Sequence, residues 1–139
     1  MGLTVLDAGV LIGVLDDGDA HHIPASQALR TAEEEHVDLA LPASALSEIL
    51  VGPSRRGVDA IATVDGLIGA LVVEIVTIDE PIAREAAALR AICGIRLPDA
   101  LVVATAIILR AGRLLTTDAH WPAGVATRLD GAIEVVGRT

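Results

Sequence analysis

The sequence predicts an α/β protein with three layers, in which a central parallel sheet of four to five strands is flanked by helices. Short runs of continuous apolar residues, typical of strands buried on both faces, alternate along the chain with longer segments of helical spacing. Hydrophobic residues make up 53% of the 139 residues, which is ample material for the core of one domain over residues 1–139.

The chain begins with a predicted strand, a helix and a polar loop. The apolar run Leu3–Leu6 predicts a buried strand, and Ala8–Leu15 predicts a helix. Three aspartates and a glycine in residues 16–19 end this helix. Apolar residues at helical spacing then predict a second helix over residues 20–36.

The next segment predicts a second strand and a short helix. Residues 37–41 form the strand, and Pro42 ends it. Residues 43–51 are helical in period, with Ser44 as the expected N-cap. Residues 52–57 combine glycine, proline and serine with two arginines, which predicts a turn.

The middle of the chain repeats this alternation of helix and strand. Residues 58–71 predict a helix and residues 72–78 a third strand. Asp79 is placed to cap the following helix, which continues to about residue 91 and is ended by Gly94.

The last part of the chain contains its most apolar helix. Residues 98–110 are apolar on nearly every face, which predicts a buried helix, and Gly112 ends it. Residues 113–117 predict a fourth strand and residues 133–136 a fifth.

The charge balance restricts the classes of function. Nineteen acidic against ten basic residues give a net charge of −9, and every base is an arginine. Without lysine, the chain cannot use a Schiff base or a P-loop lysine. Because phosphate neutralisation drives non-specific binding to nucleic acid, a chain this acidic would need something other than bulk charge to hold phosphates, and metal ions are the obvious candidate.

Cysteine content and uncharged runs indicate the compartment. The single cysteine, Cys93, excludes an internal disulfide and a multi-cysteine metal site, and favours a reducing, cytoplasmic location. The longest uncharged runs have ten residues each, whereas a helix that spans a membrane needs about 18. No membrane partner is therefore expected.

Four carboxylic acids stand among apolar neighbours: Asp7, Glu48, Asp99 and Asp118. Asp7 and Asp118 lie at the carboxyl ends of predicted strands, where parallel sheets bind ligands. Three of the acids also have a structural interpretation. Asp7 could cap a helix, Asp118 could belong to a turn, and Asp99 could complement the dipole of its helix.

A convergence of these four carboxylates predicts a site for a divalent cation. Ionised carboxylates repel one another when brought together, and ligand sets made only of oxygen select hard ions such as Mg²⁺ or Mn²⁺. One or two such ions suit phosphodiester hydrolysis, because they activate a water and stabilise the leaving oxygen.

The segments that carry these acids resemble those of the PIN-domain ribonucleases, and especially the VapC-type toxins of bacterial toxin–antitoxin pairs. The resemblance extends in order over essentially the whole chain. It rests on Val-Leu-Asp-Ala at 5–8, Pro42 through Ser47-Glu48, Leu-Pro-Asp-Ala at 97–100 and Leu-Thr-Thr-Asp at 115–118.

The resemblance implies a PIN-like fold, Mg²⁺- or Mn²⁺-dependent endoribonuclease activity on RNA, homodimerisation and inhibition by a cognate antitoxin. Asp7, Glu48, Asp99 and Asp118 match the acidic catalytic and metal-binding site of the family. Thr116 matches a hydroxyl residue that often precedes the last acid, and Ser44, one turn before Glu48, is expected to support the site.

One departure concerns the residues after the last acid. Many relatives carry a further acid two positions on, followed by an aromatic residue, whereas this chain has His120 and Trp121. The departure puts a second metal ion in doubt. His120 either binds phosphate when protonated or is simply solvated, and Trp121 is expected to pack rather than to stack on bases.

The best placed basic pair for an RNA backbone is Arg55 and Arg56, which are otherwise ordinary solvated turn residues. Two alternatives lack nuclease activity: a regulatory Mg²⁺-binding module such as a receiver domain, and an inactive PIN domain that only binds a partner. A receiver domain normally needs adjacent acids after its first strand and a lysine after its last, and this chain has neither.

Overall fold

A computed structural model describes residues 2–137 and contains a five-stranded parallel sheet flanked by helices, which confirms the predicted fold class. The expected single domain over residues 1–139 includes residues 1, 138 and 139, which lie outside the described residues. In chain order the elements are β1 (Leu3–Leu6), α1 (Ala8–Leu15), α2 (His22–Glu34), β2 (Asp38–Pro42), α3 (Ala43–Arg56), α4 (Val58–Ala70), β3 (Glu74–Val76), α5 (Glu80–Cys93), α6 (Leu97–Ile108), β4 (Arg113–Thr116), α7 (Ala123–Arg128) and β5 (Ala132–Val135).

The strand order places β1 at the centre of the sheet. The order is β3-β2-β1-β4-β5, and β1 pairs in parallel with β2 on one side and β4 on the other. After β1, the chain adds β2 and β3 on one side and then crosses over to add β4 and β5 on the other side. Ligands in such sheets bind beyond the carboxyl ends of the strands at this point of reversal, which here lies between β1 and β4.

Helix α6 packs against the centre of the sheet. Half of its residues are buried, most of them small: Ala100, Val102, Val103, Ala104, Thr105 and Ala106. It contacts β1, β2 and β4 as well as α3 and α5. Because this packing fixes the helix, its first turn, which contains Asp99, is held at the same edge of the sheet as the ends of β1 and β4.

The predicted turn over residues 52–57 is wrong, because α3 continues through Pro53 to Arg56. Pro53 removes one helical hydrogen bond, but it is buried and borders a small cleft with Leu15 and Val64, so its packing stabilises the last turn. Gly57, with φ of 116°, ends the helix instead. Arg55 and Arg56 therefore lie on a helix, where their charges complement its C-terminus.

Two further expectations about local structure are corrected. Ser44 is not the N-cap of α3, since the helix begins at Ala43 and Pro42 occupies that position. The short helix α7 has no counterpart in the predicted elements. Packing stabilises it, because Val125 is buried and Arg128 forms an ion pair of 2.6 Å with Glu85 of α5.

The remaining predicted boundaries agree with the structure to within two residues. Asp79 caps α5 as expected, since its Oδ1 accepts a hydrogen bond of 3.0 Å from the Ile82 N–H. Gly94 ends that helix in the left-handed conformation. Within residues 2–137, no helix combines the length and the apolar character needed to cross a membrane.

Three connections from helix to strand end in the same way. The residues with positive φ after α2, α4 and α6 are His36, Val72 and Arg110, respectively. In each case the N–H of the next residue donates a hydrogen bond to the carbonyl of the residue five positions earlier, as in a Schellman motif. Val72 has the least suitable side chain for this conformation, because it is β-branched.

Val72→Gly is expected to increase the free energy of unfolding by up to about 1 kcal/mol. A residue with a side chain pays ~1–2 kcal/mol to adopt the left-handed conformation, and glycine avoids this cost. The greater conformational freedom of glycine in the unfolded chain offsets part of the resulting stabilisation. Little burial is lost, because Val72 is 82% exposed. Urea denaturation measures the change, with Val72→Ala, which keeps the Cβ atom, as the control. A lower midpoint for Val72→Gly would contradict this account of the turn.

Candidate functional site

Asp7 follows β1 directly and has both of its carboxylate oxygens held. It is the N-cap of α1, and its Oδ1 accepts a hydrogen bond of 2.8 Å from the Ala8 N–H. Its Oδ2 accepts a hydrogen bond of 2.8 Å from the hydroxyl of Thr116. The capping interpretation of Asp7 is therefore confirmed, and it leaves the carboxylate at the centre of the sheet edge.

Thr116 joins the first and last of the four acids. Its side chain is fully buried, and its Oγ1 both donates to Asp7 and accepts a hydrogen bond of 3.1 Å from the Asp118 N–H. The Asp7 N–H also donates to the Leu115 carbonyl at 2.9 Å. The ends of β1 and β4 are thus joined by side-chain and backbone hydrogen bonds, which fix Asp118 relative to Asp7.

The loop after Asp118 is a compact turn. Asp118 Oδ1 accepts a hydrogen bond of 2.8 Å from the His120 N–H, and the indole N–H of Trp121 donates to the Asp118 carbonyl at 2.8 Å. Trp121 packs against the hydrophobic core, which confirms its expected packing role. The imidazole of His120 is 95% exposed, with Nδ1 at 3.3 Å from Asp118 Oδ1.

The other two acids come from helices. Asp99 lies in the first turn of α6 and is partly buried, and Glu48 lies on an exposed part of α3. Arg96, at the N-cap position of α6, brings its Nε to 3.5 Å from Asp99 Oδ2. Sequence reasoning missed Arg96, although its position one helical turn before Asp99 is the signal that would have found it.

Burial and mutual repulsion raise the pKa of two of the acids. For Asp7, burial is the largest cause of the raised pKa, and the charges of Asp99 and Asp118 add to it, although the hydrogen bonds from Thr116 and Ala8 oppose it.

Glu48 is exposed as a residue, yet partial burial of its carboxylate raises its pKa most, followed by the charges of Asp7 and Asp99. The charge of Arg96 acts in the opposite direction. The charges of the four acids thus act on one another near the ends of β1 and β4, and Arg96 offsets part of their repulsion.

This donor set fits a hard divalent cation that keeps several of its waters. Among residues 2–137, no group of three or more acidic, histidine or cysteine side chains is arranged to hold a metal ion. The donors are carboxylate oxygens, the ligand type that Mg²⁺ prefers, and one or two of them together with waters would be enough to hold the ion. The buried Oγ of Ser44, one turn before Glu48, has no hydrogen-bond partner in the described part of the chain.

A cleft of about 350 Å³ opens beside Glu48, between α1 and α3. Its floor is mostly apolar, with Ile12 and Ile49 among the lining residues, and Arg56 lies at its border. Arg55 is exposed and does not line the cleft. Of the two predicted RNA-binding arginines, Arg56 is thus the one that shares this cleft with Glu48.

Comparison with known proteins identifies a family and several similar folds. Residues 4–124 match the family model of the PIN domain. No curated protein sequence matches the chain. A toxin–antitoxin complex from Klebsiella pneumoniae contains a chain that is 28% identical, with a TM-score of 0.65 over 87% of this chain and 91% of that one.

Two more distant structures share the fold. A chain of the VapBC2 complex from Rickettsia felis, bound to a DNA fragment from its promoter, is 15% identical, with a TM-score of 0.73 over 96% of this chain and 98% of that one. The toxin VapC20 from Mycobacterium tuberculosis, which cleaves the sarcin-ricin loop, is 16% identical, with a TM-score of 0.65 over 80% and 86% of the two chains.

Proposed function

The chain belongs to the PIN-domain family, and we propose that it is a Mg²⁺- or Mn²⁺-dependent endoribonuclease that acts as the toxin of a toxin–antitoxin pair. Such an enzyme hydrolyses phosphodiester bonds in RNA. One observation carries the proposal. The charges of Asp99 and Asp118 act on Asp7, and those of Asp7 and Asp99 act on Glu48, so the four acids influence one another near the ends of β1 and β4.

The proposed metal ligands are these four carboxylates. A divalent cation, when bound, supplies neutralisation of the phosphate charge and activation of a water. Asp7 is the central ligand, because the hydroxyl of Thr116 and the Ala8 N–H fix the orientation of its carboxylate. The hydrogen bonds of Thr116 also keep Asp118 at a constant distance from Asp7.

Glu48 suits the role of proton acceptor at the open side of the site. Glu48 is an exposed residue, whereas Asp7 and Asp99 are partly buried. Partial burial of the Glu48 carboxylate, followed by the charges of Asp7 and Asp99, raises its pKa. A carboxylate with a raised pKa is a stronger base, so it takes a proton from an attacking water more readily. Ser44, whose Oγ is buried one helical turn earlier, is the residue expected to support this part of α3.

A direct test of the nuclease proposal is cleavage of total cellular RNA by the purified protein. We expect cleavage with Mg²⁺ or Mn²⁺ and its loss on addition of EDTA. An inactive PIN domain or a regulatory Mg²⁺-binding module would leave the RNA intact under all of these conditions. Sequencing of RNA ends after induced expression would identify the cleaved site.

The toxin proposal adds a protein partner. The similarity to a chain in the toxin–antitoxin complex from Klebsiella pneumoniae supports an antitoxin as the partner of this chain. Expression of the chain alone should then stop growth, and co-expression of a small protein from the adjacent gene should restore it. Growth inhibition that no adjacent gene relieves would favour a nuclease without an antitoxin.

The protein is expected to be a homodimer. Several large apolar side chains are exposed on its helices, among them Val58 at 80% and Ile92 at 71%, and apolar patches on small proteins often form interfaces. Light scattering at micromolar concentration should give a mass about twice the 14.3 kDa of the chain. A particle of 14.3 kDa would contradict the dimer.

A further inference from the structure

Arg96 presents a cation at the rim of the acidic site. Its Nε lies 3.5 Å from Asp99 Oδ2, and its charge also acts on Glu48. The side chain is 79% exposed, and within residues 2–137 this long contact through Nε is its only hydrogen bond to protein. Both terminal amino groups of the guanidinium therefore remain available for a ligand.

The other arginines with ion pairs are engaged away from the four acids. Arg84, Arg113 and Arg128 pair with Glu80, Glu134 and Glu85 respectively. Among the arginines of residues 2–137, Arg96 is the one whose charge acts on two of the four site carboxylates. It is therefore the base best placed to attract an anion to this edge of the sheet.

The chemistry of the site requires such a base. An RNA strand brings a phosphate at every nucleotide, and the protein has a net charge of −9. A divalent cation neutralises part of the charge of the acids but leaves the approaching strand facing an acidic surface. The planar guanidinium matches the two non-bridging oxygens of a phosphate, because its amino groups form two parallel hydrogen bonds.

We propose that Arg96, anchored through Nε on Asp99, binds an RNA phosphate at this site with its two terminal amino groups. This inference rests on the proposed nuclease function and deepens it, since it names the residue that holds the substrate backbone. Asp99 then has two roles: its charge acts on Asp7 and Glu48, and its Oδ2 orients the guanidinium of Arg96. The contact recognises phosphate and carries no base preference.

The test compares Arg96→Gln with a matched control, Arg84→Gln. Arg84 is 78% exposed and contacts Glu80 through its Nε, so the control removes the same charge and a similar ion pair at a distant place. The binding probe is a fluorescein-labelled single-stranded RNA of random sequence, titrated with Mg²⁺ present. Both changes are made in the Asp7→Asn protein, which keeps the strand intact, and the titration is repeated at several salt concentrations.

Arg96→Gln should weaken RNA binding about tenfold, the effect of losing a charged hydrogen bond. It should also reduce the slope of log K against log salt by about 0.7, the contribution of one phosphate contact in single-stranded nucleic acid. Arg96→Lys should keep the slope and restore only part of the affinity, because lysine keeps the charge but cannot form two parallel hydrogen bonds to one phosphate. In the active protein, Arg96→Gln should lower kcat/KM about tenfold, mainly through a higher KM.

Two results would overturn the inference. Arg96→Gln could match Arg84→Gln in affinity and salt slope, in which case Arg96 does not touch RNA. Alternatively, Arg96→Gln could change the melting response to Mg²⁺ while leaving the salt slope intact, which would make Arg96 only a counter-ion of Asp99 and Glu48. A wild-type protein that leaves RNA uncleaved would refute the nuclease proposal separately, because the binding series still decides the role of Arg96.

Discussion

Asp7→Asn is expected to reduce the rate of RNA cleavage by roughly three orders of magnitude, since a bound metal ion supplies several kcal/mol of transition-state stabilisation. The substitution removes the charge of the central ligand but keeps its size. The amide oxygen can still accept the hydrogen bond from the Ala8 N–H, so the cap of α1 remains. Growth inhibition by the expressed protein should disappear together with cleavage.

Asp79→Asn is the matched control for this prediction. Asp79 also follows a strand and caps a helix through its Oδ1, but it belongs to α5 and not to the acidic site. Its substitution should leave cleavage within about twofold of wild type, because asparagine caps helices as well as aspartate does. If Asp7→Asn behaves like Asp79→Asn, the assignment of the metal site to Asp7 is wrong.

Asp99→Asn is expected to make the metal-free protein more stable, by about 1 kcal/mol, the scale of repulsion between like charges at intermediate dielectric. The substitution relieves repulsion on Asp7 and Glu48. It also loses the ion pair with Arg96, but that arginine is 79% exposed, and such pairs contribute little. Thermal unfolding in EDTA measures the difference.

Mg²⁺ should reverse this order of stability. A cation that binds only the folded state stabilises wild type by about 2.7 kcal/mol at a concentration of 100 times its Kd, and it should stabilise Asp99→Asn much less. The melting temperatures of the two proteins should therefore converge or cross during a Mg²⁺ titration. Trp121, which donates to the Asp118 carbonyl, offers a fluorescence signal for the same titration. Equal shifts in both proteins would mean that Asp99 lies outside the metal site.

The raised pKa values of Asp7 and Glu48 determine how metal-free stability depends on pH. A carboxyl whose pKa is higher in the folded state binds its proton more tightly there, so folding is favoured below the unfolded pKa. That contribution is lost as the pH rises through the folded pKa. Relative to Asp7→Asn, the metal-free wild type should therefore lose stability between these two pH values, and Mg²⁺ should suppress the loss.

Local patterns were sufficient to predict the fold class and most elements. Asp79 and Gly94 mark the two ends of α5 through hydrogen bonds to residues four or fewer positions away. The neighbouring sequence is therefore enough to identify both ends. The placement of Asp7 and Asp118 followed from the rule that parallel strands end at one edge of the sheet.

The features that sequence reasoning missed depend on distant contacts. Pro53 remains inside α3 because it is buried beside Leu15 and Val64, and α7 is held by the ion pair between Arg128 and Glu85. The spacing between Arg96 and Asp99 would have revealed that pair, but the action of Arg96 on Glu48 depends on the packing of α3 against α6. No spacing within a single segment indicates these distant contacts.

The hydrogen bond between Thr116 and Asp7 has a consequence for the time at which the protein becomes active during synthesis. The two residues are 109 positions apart, and β4, which carries Thr116, is next to last of the five strands. A nascent chain can pair β1 with β2 early, but Asp7 has no partner for its Oδ2 until β4 has left the ribosome and paired with β1. We therefore expect the proposed ribonuclease to be inactive until β4 is in place, because a product truncated before β4 contains Asp7, Glu48 and Asp99 but lacks Asp118 and the hydroxyl that orients Asp7.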